Sequence, residues 1–175
     1  EIFLYLLLGI FSGILAGLFG IGGGIIIIPV FFSIFKNIVG IPDEALAHTV
    51  LGTSLGVIVF SSIASTYSHN KRNAVMWELL KLIAPSICLG ATLGAITASY
   101  IPSSTLQILV AIFLILISFQ MIFEFPPPSQ NPKTNFLGPL VVGSGIGWLS
   151  GIFGIGGGVF SVPYFYHRGL VMTKA

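Results

Sequence analysis

Charge is the scarcest property of this sequence: seven Lys and Arg with five Asp and Glu make up 7% of 175 residues, whereas an ordinary soluble domain carries roughly 25%. Too few charges remain to coat a water-facing surface. The basic residues form no polybasic arm or patch, which excludes nucleic acid as a partner. Cys88 is the single cysteine and lies within an apolar run, so there is no intramolecular disulfide framework and no thiolate metal cluster; it reads as a small packing residue. Glu1, Asp43, Glu44, Glu78 and Glu124 fall in loops or near the ends of apolar runs, so no carboxylate relay for obligatory proton coupling crosses them. His48 and His69 are the candidates for a protonation switch, and interfacial polar roles fit both better. No spacing supplies a nucleophile with its base or a metal triad, so neither an enzyme nor a metal or other cofactor is expected. The opening Glu1-Ile2-Phe3 has no basic n-region, and the first apolar run is read as a span rather than a signal peptide.

What abounds is apolar sequence, 55% of the residues, with a mean hydropathy of +1.04. Apolar runs recur at the length of roughly 20 residues that a spanning helix needs. Lys36, Lys71, Arg72, Lys81, Lys133, Arg168 and Lys174 sit at or near the ends of these runs, where orienting and snorkelling charges belong. The fold class expected is an all-α, multi-pass integral membrane protein with the lipid bilayer as its surroundings, compatible with a homo-oligomer. Block one, from about Ile2 to Phe35, is too long for one span and is interrupted by Gly20, Gly22, Gly23 and Gly24, which predicts a discontinuous or re-entrant helix. Block two runs from about Thr49 to Tyr67, block three from Ala74 to Tyr100 and block four from Thr105 to Phe125, with a tight turn at Ile101-Pro102-Ser103-Ser104.

Block five, about Phe136 to Tyr166, repeats block one. GLFGIGGGIIIIP at Gly17 to Pro29 returns as GIFGIGGGVFSVP at Gly151 to Pro163. With an offset of 134 positions, 11 of the 20 residues from Gly13 to Phe32 are identical to their counterparts; internal duplication of this kind is common in transporter folds. The organisation expected is a first half over residues 1–125, a polar, proline-rich linker over 126–135, and the start of a second half over 136–175 that is truncated after Ala175. Small residues four apart, at Gly9, Gly13 and Gly17, Gly143, Gly147 and Gly151, Gly52 and Gly56, and Gly90, Gly94 and Ala98, predict smooth faces for close helix packing.

A glycine break at membrane depth leaves backbone groups that must be buried in protein or line a watery cavity. The break at Gly22, Gly23 and Gly24 frees the amides that open the next half-helix, and Gly156, Gly157 and Gly158 supply a twin. Those N–H groups, at the positive end of a helix dipole, make an anion site without a charged side chain. One helix terminus gives an anion about 0.3–1 kcal/mol, up to ~2 when partly buried, and stripping an ion of water costs several kcal/mol. Two termini joined by hydroxyl donors come close, and the nearest such donors are Thr53 and Ser54. The competing reading is that each GGG only kinks a helix for packing, with Pro29 and Pro163 marking bends; duplication favours the functional one.

AGLFGIGGGIIIIPVF, AHTVLGTSLGVIVFSSIASTYSHNKRNAVMW and SGIFGIGGGVFSVPYF resemble the sulfite exporter TauE/SafE family, also called the 4-toluene sulfonate uptake permease family. The resemblance implies a bacterial inner-membrane carrier for small inorganic or organosulfur anions such as sulfite, thiosulfate or sulfonates, with two homologous halves. It carries Gly22, Gly23, Gly24, Gly156, Gly157 and Gly158 over as ion-facing breaks and Thr53 and Ser54 as accompanying donors. A passive anion channel and a non-transporting membrane scaffold or assembly subunit stand as alternatives. The basic loop HNKRN at 69–73 is expected on the cytoplasmic side. A single crossing by block one makes the repeats parallel, a hairpin makes them inverted, and inversion is the expectation.

Overall fold

The computed structural model describes residues 6–7, 9–14, 24–72, 75, 77–122 and 137–161. Every regular element among them is helical: α1 (Gly24–Ile34), a π-helical turn (Phe35–Val39), α2 (Asp43–Lys71), α3 (Trp77–Ser99), α4 (Ser103–Ile122) and α5 (Leu137–Phe153), with helical stretches also at 9–14 and 158–161. The linker expected at 126–135, and with it Pro163 and the residues after it, lies outside the described residues.

Local chemistry accounts for the ends of these helices. Pro29 lies inside α1 and forfeits one intrahelical bond without ending the helix. The π turn stops at Gly40, whose φ of 73° is the left-handed conformation that glycine adopts freely. α2 begins six residues before the expected Thr49, because Pro42 precedes it and Asp43 and Glu44 occupy its first turn, where carboxylates meet the positive end of the helix dipole. At 29 residues it reaches about 43 Å, and among the described residues it alone has both the length and the hydropathy to cross a membrane.

Hydrogen bonds between elements set the order of the spans. His48 Nε2 lies 3.1 Å from Ala98 O, joining the start of α2 to the end of α3. At the opposite ends, Trp77 Nε1 donates to Asn70 Oδ1 at 3.1 Å, so α2 and α3 are antiparallel. Ser103, which opens α4, is inserted into the first turn of α2: it accepts from Ala47 N at 3.1 Å and donates to Asp43 O at 2.6 Å. The chain therefore passes back and forth between one end marked by Asp43 and Ser103 and another marked by Lys71 and Trp77.

α5 packs along α3 in the parallel sense, backbone to backbone. A Cβ on Gly90 would collide with the backbone of Ser144, one on Gly94 with that of Trp148, one on Gly147 with that of Ile87, and one on Gly151 with that of Ala91. The ladder of small residues thus lets two helices approach more closely than any side chain allows. Gly52 and Gly56 behave differently: among the described residues nothing lies within 4 Å of a Cβ on either, and they leave the face of α2 open to those residues.

The distribution of polarity is reversed from that of a water-soluble bundle. Ser54, Ser86, Ser103 and Ser150 are buried, while Phe60, Ile63, Leu89, Ile112 and Leu116 are exposed. Leucine and isoleucine on the outside suit a hydrocarbon solvent, in which apolar surface carries no penalty. The buried cluster gathers Ile28, Leu46, Val50, Leu106, Val110 and Ile155, and Phe113 stacks on Phe153 with ring centroids 4.4 Å apart.

Candidate functional site

Three segments meet in the middle of the bundle. Ser54 lies about 16 Å along α2 from Asp43 at 1.5 Å per residue, which puts it well inside the span. It is fully buried, and its hydroxyl donates to Gly154 O at 2.8 Å. Gly24, the first residue of α1, sits against the same place: a Cβ there would lie 3.2 Å from Ile155 Cα and 3.5 Å from Gly154 O. The end of the first GIGGG segment and the beginning of the second are therefore in van der Waals contact across 130 residues of chain.

Gly154 is where α5 stops. Its φ is 64°, and its Cα carries so little bulk that Leu51 of α2 approaches directly, with Leu51 Cα 3.0 Å from where a Cβ would stand. A helix that ends inside a bundle leaves carbonyls without intrahelical partners. Two buried serines take two of the carbonyls just past its end: Ser54 binds Gly154 O and Ser150 Oγ donates to Ile155 O. Past the turn the chain folds back beside α5. A Cβ on Gly157 would lie 3.5 Å from Ile146 Cγ2, and one on Gly156 3.6 Å from Ile58 Cγ2, both residues farther from the Asp43 end than Leu51 and Ser54.

Helical bonding resumes there, with Phe160 N donating to Gly157 O at 3.1 Å and Ser161 N to Gly157 O at 2.9 Å. The first amides of such a stretch have no acceptor within it; Gly156, Gly157 and Gly158, all half-buried, precede or open it, and Gly156 lies against Ile58, which also meets Gly24. No Lys, Arg, Asp or Glu takes part in the contacts that define the junction.

Of the residues expected from sequence, Gly24 and Ser54 meet at this junction and Gly156 lies beside it against Ile58; Gly157 lies against Ile146 and Gly158 opens the next helical residues, while Gly22 and Gly23 lie outside the described residues. Thr53 is on the exposed, open side of α2 and its hydroxyl donates back to Thr49 O at 2.6 Å. Ser54 is present, but its proton is committed to Gly154 O. Three residues escaped the sequence reading. Gly154, rather than Gly156, makes the turn; Ser150 closes the end of α5; Leu51 forms the floor. Gly154 carried a signal, as the first glycine of GIGGG, whereas Ser150 and Leu51 carried none, since serine and leucine are ordinary in any span. An open cleft of about 380 Å³ lined by Ser62, Ile63, Thr66, Tyr67, Asn70 and Trp77 lies toward the Lys71 end of α2, away from the glycines.

Removing the Ser54 hydroxyl leaves Gly154 O buried and unpaired, at a cost of about 1–3 kcal/mol. Ser54→Ala is expected to lower the thermal midpoint of the detergent-solubilised protein by several degrees, and Ser54→Thr to retain most of it. Equal midpoints for Ala and wild type would show that this hydroxyl does not hold the turn.

A family model described as "Sulfite exporter TauE/SafE" matches residues 5–175. The chain is 33% identical over 175 residues to a probable membrane transporter protein of Haemophilus influenzae, an alignment covering 99% of the chain and 66% of that protein. It is 35% identical over 162 residues to a probable membrane transporter protein of Methanocaldococcus jannaschii, covering 91% of the chain and 60% of the relative. A third probable membrane transporter protein, from Bacillus subtilis, is 30% identical over 154 residues, with 85% and 60% covered. The chain thus spans about two-thirds or less of the length of these relatives. No solved structure matches it.

Proposed function

The chain belongs to the sulfite exporter TauE/SafE family, and from this premise we propose that it is the larger part of a multi-pass inner-membrane carrier for a small sulfur-containing anion, sulfite, thiosulfate or a sulfonate. The anion is held between the two glycine breaks by the amides of Gly22, Gly23 and Gly24 and of Gly156, Gly157 and Gly158, with Ser54 beside them; Thr53, on the open face of α2, takes no part. The observation that carries this reading is the contact of Gly24 with Gly154 and Ile155, which brings the last glycine of the first motif onto the first residues of the second inside the span.

The reversal of the chain at Gly154 supports a re-entrant hairpin entering from the Lys71 end. α1 leaves the junction toward the Asp43 end, which suits an opposed hairpin in the first half and hence inverted repeats. In such an arrangement Ser54 works first as the clamp on Gly154 O, and backbone amides do the binding. A site without Lys or Arg binds weakly enough to release its ion, as transport requires.

Thermal stability of the full-length protein tests this. A ligand at a hundred times its Kd stabilises by about 2.7 kcal/mol, so sulfite, thiosulfate or a sulfonate is expected to raise the midpoint by several degrees, while sulfate and chloride do not. Equal responses to all of them would sink the sulfur-specific reading. Saturable exchange in proteoliposomes separates a carrier from a passive channel.

A further inference from the structure

The glycine ladder on α5 has a counterpart that stands unused. Gly143, Gly147 and Gly151 are buried against α3, where Gly143 meets the side chains of Ser86 and Ile83 and the other two meet the backbones of Ile87 and Ala91. Shifted by the 134-position offset, these glycines fall on Gly9, Gly13 and Gly17. Gly9 and Gly13 are exposed on a helical stretch, and among the described residues nothing lies within 4 Å of a Cβ on either. The ladder is therefore docked in one copy of the repeat and open in the other. Glycine weakens a helix relative to alanine, and small residues four apart gain something in return only where another backbone approaches.

We propose that the Gly9–Gly13 face docks, in the full-length protein, on the second-half helix equivalent to α3, so that each half lends its leading arm to the third span of the other. The proposal rests on the duplication reading above. The docked copy supplies the geometry: in the pair seen here, α5 belongs to the second half and α3 to the first, and they run parallel, with Gly90 and Gly94 facing the backbones of Ser144 and Trp148. The mirrored pair therefore joins the arm containing Gly9 and Gly13 to the second-half equivalent of α3, and small residues four apart are expected there at the positions equivalent to Gly90 and Gly94. A third or more of each relative lies outside the region that the chain matches, which is room for such a span. The α3 ladder of a second copy is an unsuitable substitute, because its own α5 already fills it.

Cysteine crosslinking in native membranes tests the pairing. In a full-length version without native cysteines, Gly13→Cys is combined with single cysteines along the third span of the second half, and a protease site in the linker makes a crosslink visible as two fragments held together. Crosslinks are expected on one helix face, recurring every fourth residue, and absent from the opposite face. Ile10→Cys and Ile14→Cys repeat the scan in case Gly13→Cys pries the helices apart. Crosslinking only to a second copy, or labelling of all three positions by a lipid-phase maleimide without any crosslink to that span, overturns the proposal. An intact thermal response to sulfite alongside failed crosslinking would overturn the docking alone, and the converse would overturn the anion site alone.

Discussion

Gly147→Leu is expected to abolish recovery of a folded, monodisperse protein. The α3–α5 contact is made by main chain on main chain, and a Cβ at Gly147 would stand 2.9 Å from Ala91 N and closer still to Ile87 O. No flexible side chain is there to move aside. The helices would have to separate along their whole contact, which also removes the close approach at Gly90, Gly94 and Gly151. Inserting bulk into a packed core costs about 1–3 kcal/mol and sometimes more when side chains can adjust; here the obstacle is backbone, and the cost falls at or beyond the upper end. Gly147→Ala should already lower the thermal midpoint. Gly145→Leu is the matched control, since Gly145 is on the same helix with nothing within 4 Å of its Cβ position, and it should leave the midpoint close to wild type. Fluorescence-detected size exclusion and thermal melts read both. A Gly147→Leu protein as stable as the Gly145→Leu one would mean that the ladder does not hold these helices together.

Gly154→Val should be nearly as damaging and should act on the site itself. Two penalties combine: a residue with a Cβ in the left-handed region costs about 1–2 kcal/mol, more for a β-branched one, and the new side chain would press on Leu51, whose Cα, Cβ and carbonyl oxygen all lie within about 3 Å of the Cβ position. The two terms can be measured separately. Gly40 has a φ of 73° with open space around it, so Gly40→Ala reports the conformational term alone, and Gly40→Asn, which tolerates this conformation, should be near neutral. Gly154→Asn keeps the crowding and should remain strongly destabilised. Any protein that survives should lose its thermal response to sulfite, because moving Gly154 draws the turn away from Gly24 and Ser54. A Gly154→Asn protein with wild-type stability would show that Leu51 yields easily and that the turn is not clamped.

Much of this molecule was legible before its structure. The scarcity of charge and the spacing of the apolar runs identify membrane helices, and the ends of α3 and α4 fall within a few residues of the expected blocks because Trp77, Tyr100 and Pro102 mark them locally. The start of α2 was misjudged, since Asp43 and Glu44 look like loop residues by hydropathy yet are favoured in a first helical turn. Small-residue ladders were all read alike, but only those on α3 and α5 are filled; Gly52 and Gly56 have the same spacing and no neighbour.

By itself, then, the sequence determined the solvent of this protein, its helices, its paired GIGGG segments and its family, because hydropathy, periodicity and motif are properties of short stretches. Only the tertiary structure decided that Gly24 lies on Gly154 and Ile155, that Ser54 and not Thr53 faces that point, that the turn falls at Gly154, and that Gly147 rather than Gly52 touches another backbone. The reason is physical: neighbouring residues on a helix differ by about 100° in direction, and which direction is inward depends on helices distant in the chain that close packing brings together.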